Sequence, residues 1–246
     1  MTMDKQVNIA SYLDSTYLKT SAESGVSEIE TKEIVINAIK EAIDAKFVCI
    51  MIRSEFIAIA KELIEKSKSK LKVGTVVDFP FGTSSTEQKI TEGKLAIERG
   101  AYDIDYVCDY NAFKRGSFEK FDYDIIEVTN LVLGHKKILK WIIETGALSN
   151  DEIKAITKRI SKLVHSNFPQ IVNKVFIKTS TGYYGGYGAT IKDIKSIKSV
   201  AGNLQIKASG GISILKDCKE MIKAGATRIG TSKAVHILKE NQENEF

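Results

Sequence analysis

The chain has 246 residues, of which 43% are hydrophobic and 27% are charged. That length and apolar content suffice for one substantial core, and the charged fraction is ordinary for a globular protein. The net charge is +5, and the lysine-rich run at residues 66–72 contains no aromatic side chain, so we expect no nucleic-acid binding.

The cysteines and the termini exclude other protein classes. Cys49, Cys108 and Cys218 are too few and too widely spaced for a disulfide framework. The three histidines show no metal-ligand spacing, so the sequence predicts no metal. The first ten residues lack the apolar core of a signal peptide, and no apolar run approaches a membrane span. We therefore expect a cytoplasmic protein that contacts no membrane.

Eight segments have the length and apolar content of strands. In chain order they are residues 12–18, 47–52, 71–77, 102–108, 138–143, 175–177, 204–207 and 227–230. Helical spacing or capping residues predict a helix after each strand, at residues 27–45, 54–66, 84–99, 117–133, 149–166, 190–201 and 213–224, with a last helix from residue 232. From about residue 239 we expect a polar tail.

The regular alternation of strand and helix predicts a parallel sheet. Eight such units in a chain of 246 residues fit a closed (β/α)8 TIM barrel better than an open sheet. No linker or change in composition divides the chain, so we predict a single α/β domain over residues 1–246. Active sites of such barrels lie at the carboxyl ends of the strands, so polar residues there are the candidates for function.

The sixth strand ends on Lys178 and continues into small polar residues, Thr179–Gly182. A lysine at the end of a buried strand is costly unless it has a partner or a task. Desolvation lowers the lysine pKa and leaves more neutral amine, which attacks carbonyl groups. Further charges stand inside or just after other strands, namely Asp14, Asp105, Lys140, Glu144 and Lys207. A purely structural ion-pair network is the alternative explanation for these charges.

Glycine turns follow the last two strands, at Gly210–Gly211 and Gly230–Ser232. We expect them to present backbone N–H groups at helix starts, as in phosphate-binding barrels, with Gly182 on a third side. A phosphate site beside a reactive lysine predicts Schiff-base chemistry on a phosphorylated aldehyde or sugar.

Six segments together resemble deoxyribose-phosphate aldolases, in the order of that family. They are Phe47–Ile50, Ile104–Val107, Ile142–Gly146, Phe176–Gly182, Lys207–Gly211 and Arg228–Ser232. The resemblance extends from about residue 12 to 235. It implies a class I aldolase that needs no metal or other cofactor and reversibly cleaves 2-deoxy-D-ribose 5-phosphate to glyceraldehyde 3-phosphate and acetaldehyde.

The resemblance also implies roles for individual residues. Lys178 matches the Schiff-base lysine, Lys207 the second active-site lysine, and Asp105 the carboxylate of the proton relay. The residues that match substrate-binding positions are Asp14, Thr16 and Lys140. The residues that match the phosphate pocket are Gly182, Gly210, Gly211, Gly230 and Ser232. The implied partners are a sugar phosphate, an aldehyde and a second copy of the chain in a homodimer.

The chain departs from the family at the loop 183–188, which is rich in tyrosine, and at its end, where Phe246 stands without a terminal tyrosine. Lys233 could supply a positive charge that Tyr183 does not. Two alternatives stay open. One is a related Schiff-base aldolase for another phosphorylated sugar, and the other is a non-catalytic barrel that binds sugar phosphates.

Overall fold

A computed structural model describes residues 8–243. Within these residues, eight parallel strands pair in sequence order, and the last strand pairs with the first to close a barrel. The strands are β1 Leu13–Tyr17, β2 Cys49–Ile52, β3 Lys72–Val77, β4 Asp103–Val107, β5 Ile138–Ile142, β6 Val175–Lys178, β7 Gln205–Ser209 and β8 Arg228–Thr231. The predicted single-domain (β/α)8 TIM barrel is confirmed.

Helices connect the strands and form the outer layer. They are α1 Ser21–Ser24, α2 Glu28–Asp44, α3 Ile57–Lys66, α4 Thr86–Arg99, α5 Tyr110–Lys114, α6 Phe118–Gly134, α7 Asn150–Asn167, α8 Ile191–Lys198, α9 Leu215–Ala224 and α10 Ala234–Glu243. Ser27, Ser85 and Ser149 each form a capping box with the residue three positions later, at the start of α2, α4 and α7. These caps satisfy backbone donors that a helix start leaves open, and they fix where each helix begins.

The predicted boundaries differ from the structure mainly near the end of the chain. Ser232 lies in a turn, and the final helix begins at Ala234. Residues 239–243 belong to α10, whereas the sequence predicted a polar tail there, because the buried stripe of this helix continues from Ile237 to Asn241. Residues 244–246 of the predicted tail lie outside the described residues. Among the described helices, none has the length and hydropathy to cross a bilayer.

The apolar core lies between the strands and the helices, because side chains alternate across each strand. On β4, Ile104 and Tyr106 belong to this core, and the Tyr106 ring lies 5.7 Å from the ring of Trp141. Trp141 Nε1 donates a hydrogen bond of 3.3 Å to Thr129 Oγ1 on α6. Asp103 and Asp105, which alternate with Ile104 and Tyr106 on β4, carry charged groups of the barrel interior.

Candidate active site

Charged side chains fill part of the barrel interior, where branched apolar residues are usual. In the described part of the chain, four cations meet three carboxylates there: Lys140, Lys178, Lys207 and Arg228 with Asp14, Asp103 and Asp105. Arg228, at 7%, is the most exposed of the seven. We call these seven residues the barrel network, and they include every catalytic residue that the sequence predicted.

Asp105 is the centre of the barrel network. Its Oδ2 accepts hydrogen bonds from Lys178 Nζ at 2.9 Å and from Lys207 Nζ at 2.8 Å. Its Oδ1 accepts a hydrogen bond of 2.9 Å from Lys140 Nζ. Burial alone would raise the pKa of Asp105, but the three lysines hold this pKa well below its usual range. Asp105 is therefore an ionised acceptor that holds the Lys178 and Lys207 amines close together.

Lys178 lies at the end of β6 with its side chain 3% exposed. Burial is the main cause that lowers its pKa to about 8, and the neighbouring charges of Lys207 and Lys140 lower it further while Asp105 opposes the shift. The barrel network has four cations and three carboxylates, and this excess of positive charge also favours the neutral form of one lysine. Near neutral pH, Lys178 thus carries a usable fraction of nucleophilic amine.

Asp14 and Lys140 lie in the same network. Asp14 Oδ2 is 2.7 Å from Lys207 Nζ, and Asp14 Oδ1 accepts a hydrogen bond of 2.7 Å from Arg228 Nε. Lys140 Nζ lies 2.6 Å from Asp103 Oδ2. Burial would lower the pKa of Lys140, but Asp103, Asp105 and Asp14 raise it, so Lys140 stays a cation.

Sequence reasoning missed Arg228 and Asp103 as members of the network. Asp103 stands two residues before Asp105 on β4, so strand alternation alone puts both on one face. Arg228 is the register partner of Lys207 across β7 and β8. Its position opposite Asp14 and Asp103 depends on closure of the barrel, which no local pattern encodes.

The predicted phosphate residues line one pocket of about 740 Å³ at the mouth of the barrel. The structure brings together there Thr16, Gly182, Gly210, Gly211, Gly230 and Ser232. An ideal Cβ at Gly230 would lie 2.9 Å from Lys207 Cε, so the pocket adjoins the barrel network. Lys19 and Lys233 also line the pocket and add positive charge.

The glycine turns differ in one respect from the prediction. Gly210 and Gly211 lie in the loop before α9, which begins only at Leu215, so the site is a glycine turn and not a helix start. Both residues have left-handed backbone, with φ of 91° and 76°. A Cβ at Gly210 would also lie 2.9 Å from Gly188 Cα, so this turn requires glycine.

The tyrosine-rich loop reaches across the mouth of the barrel. Tyr183 Oη donates to Glu23 Oε2 at 3.4 Å, and Arg53 Nη2 lies 3.8 Å from the same carboxylate oxygen. The Phe79 ring packs edge-on to Tyr183 at 5.1 Å and lies 5.4 Å from the Arg53 guanidinium. These four side chains link the loops after β1, β2, β3 and β6 beside the pocket.

One group of possible metal donors lies in the barrel. Asp14, Cys49 and Asp103 place one donor atom each within 4.8 Å of one another. Lys140 and Arg228 already contact both carboxylates, and burial, with the nearby Asp103 and Asp14 charges, raises the pKa of the Cys49 thiol well above its usual range. Cations of the protein itself neutralise these carboxylates.

Comparison with known proteins gives the family of this barrel. A scan of protein-family models finds no match. A deoxyribose-phosphate aldolase of Mycoplasmopsis synoviae is 39% identical over 241 residues, covering 97% of this chain and 99% of the relative. The solved structure of QR15, described as an aldolase, has a TM-score of 0.79 at 29% identity and covers 99% of this chain and 98% of its own.

A tetrameric deoxyribose phosphate aldolase from Aeropyrum pernix has a TM-score of 0.77 at 27% identity, over 96% of this chain and 92% of its own. In each comparison the similarity extends over nearly the full length of this chain and of the relative, so it includes the strands, the loops and the barrel network. The chain belongs to the deoxyribose-phosphate aldolase family.

Proposed function

We propose that the protein is a class I aldolase that reversibly cleaves 2-deoxy-D-ribose 5-phosphate to D-glyceraldehyde 3-phosphate and acetaldehyde. The observation that carries the proposal is Lys178, a buried amine with a pKa of about 8 that lies 2.9 Å from Asp105. The substrate is inferred from the name of the relatives, which are deoxyribose-phosphate aldolases.

In the first half of the reaction, the neutral amine of Lys178 attacks the C1 aldehyde of the open-chain sugar. The carbinolamine gains a proton on its hydroxyl group and loses water to give an iminium ion. Asp105 contacts both Lys178 and Lys207, so a proton can pass between the two amines across one carboxylate.

In the second half, the hydroxyl group on C3 gives its proton to the relay of Asp105 and Lys207, and the bond between C2 and C3 breaks. The electron pair of that bond moves to the iminium, which becomes an enamine, while C3 becomes the aldehyde carbon of glyceraldehyde 3-phosphate. Protonation of the enamine on C2 and hydrolysis then release acetaldehyde and the free Lys178 amine. The protons that are lost and gained over the whole reaction are equal in number, and no substrate is oxidised or reduced overall, so the reaction needs no redox partner.

The pocket beside the barrel network is the proposed place for the phosphate. Its glycine turns and the Lys19 and Lys233 side chains offer backbone N–H groups and positive charge to an anion. The adjacency of Gly230 to Lys207 supports a substrate that extends from this pocket to Lys178.

Borohydride trapping with acetaldehyde tests the proposal directly. We expect reduction to leave an ethyl group on Lys178, which peptide mass mapping locates, and we expect Lys178→Ala to lose both the adduct and the cleavage of deoxyribose 5-phosphate. Activity that persists in a folded Lys178→Ala variant would contradict the mechanism. Cleavage of another phosphorylated sugar in preference would favour the related-aldolase alternative.

We further propose a cytoplasmic homodimer. The location is supported by three cysteines that are all free, as a reducing compartment favours. Exposed apolar side chains, among them Ile29 at 74% and Phe81 at 70%, are candidates for the dimer contact. Light scattering of the purified protein distinguishes the dimer from a monomer and from the tetramer described for the Aeropyrum pernix relative.

A further inference from the structure

Glu144 is a buried carboxylate beside the active site to which the proposed reaction gives no role. It lies two residues after the end of β5, is 1% exposed, and forms no ion pair with any described residue. Its Oε2 accepts hydrogen bonds from Thr181 N at 3.1 Å and from Thr181 Oγ1 at 2.5 Å. Its Oε1 is buried and accepts no hydrogen bond from the described residues. Such a group is costly to bury and is usually retained for a reason.

The backbone at Glu144 is also unusual. Its φ of 56° lies in the left-handed region, which is unfavourable for a residue with a side chain. Burial raises the pKa of Glu144, while the two Thr181 hydrogen bonds and the charge of Lys178 oppose this shift. Glu144 thus combines an unfavourable backbone conformation with a buried carboxylate whose two hydrogen bonds both go to Thr181, which points to a role in holding the loop of Thr181.

The loop in question is the segment that joins the lysine to the phosphate pocket. Beyond the ends of β5 and β6, Ile143 N donates to Lys178 O at 3.0 Å and Thr145 N donates to Thr179 O at 2.9 Å. The hydroxyls of Thr145 and Ser180 share a hydrogen bond of 3.2 Å. Glu144 then fastens the next residue of this segment, Thr181, through both its backbone and its side chain.

Thr181 in turn connects to the pocket and to the tyrosine-rich loop. Thr181 and Gly182 both line the 740 Å³ pocket, and Thr181 Oγ1 accepts a hydrogen bond of 3.0 Å from Tyr183 N. A shift of Thr181 would therefore move the phosphate-binding end of the segment while Lys178, held by β6 and Asp105, stays in place.

We propose that Glu144 is a positioning residue that fixes the distance between the Lys178 amine and the phosphate pocket by clamping Thr181. This inference rests on the proposed function for its substrate but not for the clamp itself. It makes the enzyme selective for aldehydes whose phosphate lies at one set distance from the carbonyl carbon. Short aldehydes such as acetaldehyde, which do not reach the pocket, do not depend on the clamp.

The test compares phosphorylated and unphosphorylated substrates in Glu144→Gln. The amide cannot form the charged hydrogen bonds with Thr181, so we expect kcat/KM for deoxyribose 5-phosphate to fall by about tenfold, mainly through KM. Acetaldehyde trapping at Lys178 and kcat/KM for deoxyribose should stay within about twofold of the parent. Glu152→Gln is the matched control, because Glu152 lies in the same connection after β5 and accepts a hydrogen bond from Ser149 N without contacting Thr181. Glu152→Gln should change kcat/KM for neither sugar.

A double-mutant cycle with Thr181→Val identifies the clamp as the cause. If Glu144 acts through Thr181, the double variant should lose little more than either single variant. Losses that multiply, or equal losses for both sugars, would overturn the positioning role while leaving the aldolase proposal intact.

Hydrogen exchange separates this inference from the proposed function. Amides of residues 179–182 should exchange faster in Glu144→Gln than in the parent and in Glu152→Gln, whether or not the protein cleaves a sugar. If the parent forms no adduct with acetaldehyde, the proposed function fails and the exchange result alone decides the clamp. Unchanged exchange of residues 179–182 in Glu144→Gln would refute the clamp.

Discussion

Lys207 and Lys178 share one carboxylate oxygen, Asp105 Oδ2, at 2.8 and 2.9 Å. At the scale of single residues, this arrangement ties the reactivity of one amine to the charge of the other. The positive charge of Lys207 is one of the causes that keep the pKa of Lys178 near 8. In the proposed reaction, Lys207 therefore has an electrostatic role in addition to its role in proton transfer.

Replacing Lys207 with leucine should therefore raise the pKa of Lys178. Because less neutral amine is then present at pH 7, we expect kcat/KM for deoxyribose 5-phosphate to fall by about tenfold or more, and the rise of activity with pH to move about one pH unit higher. The measurement is the pH dependence of kcat/KM.

Lys207→Arg keeps the positive charge and serves as the control. Its pH profile should stay close to the parent even if its rate is lower. A Lys207→Leu profile that coincides with the parent would contradict the electrostatic role.

A site residue could be predicted when the evidence for it lies in the sequence segment around it. Lys178, Asp105 and Lys207 stand in short motifs on or at the end of strands, so the resemblance of those motifs could predict their roles before the fold was known. The structure brings the three side chains together. Arg228 opens β8 and contacts residues 125 and 214 positions away, Asp103 and Asp14. Contacts of that range form only when the barrel closes, so no sequence pattern near Arg228 indicated them.

At the scale of elements, the pocket is made by loops and by the turn before a helix. Ser232 precedes α10 and lines the pocket together with Gly211 and Gly230. Sequence reasoning predicted that these residues lie together, and the structure brings them to one pocket, since consecutive strands of a parallel barrel end on the same face. That the pocket binds an anion stays a prediction. The two helices that follow these turns begin two residues later than predicted, at Leu215 and Ala234, because helix ends are less certain than the helices themselves.

A negative charge at Ser232 should repel the phosphate. We expect Ser232→Glu to raise KM for deoxyribose 5-phosphate by at least about tenfold and to change KM for unphosphorylated deoxyribose little, since only the first substrate carries the anion. Steady-state kinetics with both sugars make the comparison.

Ser67→Glu adds the same charge at the end of α3, where Ser67 is exposed, and should leave both substrates unaffected. An equal rise of KM for both sugars in Ser232→Glu would move the phosphate site away from this pocket.

At the scale of the whole molecule, the barrel separates two kinds of interior. The core between the strands and the helices is apolar, whereas the barrel network inside the ring of strands is charged. The apolar core was predictable, because runs such as Cys49–Ile52 and the helical stripes of α2 and α7 carry the pattern directly. The sequence could predict the interior network only as a set of charges on or just after strands, since its pairings depend on register across all eight strands.

The cysteines lie in both kinds of interior: Cys108 and Cys218 belong to the apolar core, and Cys49 lies inside the barrel near Asp14 and Asp103. Cys49, Cys108 and Cys218 are all buried. Burial is the main cause that raises the pKa of all three thiols, to about 12 for Cys218 and well above the usual range for Cys49 and Cys108. The native protein should therefore expose no thiolate at neutral pH.

This burial makes the natural chain a ready background for site-specific labelling. We expect a thiol reagent such as maleimide to modify no cysteine in the folded protein and all three after denaturation, as intact mass measurement can show. Rapid modification of the folded parent would contradict this expectation. A cysteine introduced at Tyr187, which is 62% exposed in the tyrosine-rich loop, would then be the one reactive position, and a fluorophore there would report loop movement during turnover without removal of any native cysteine.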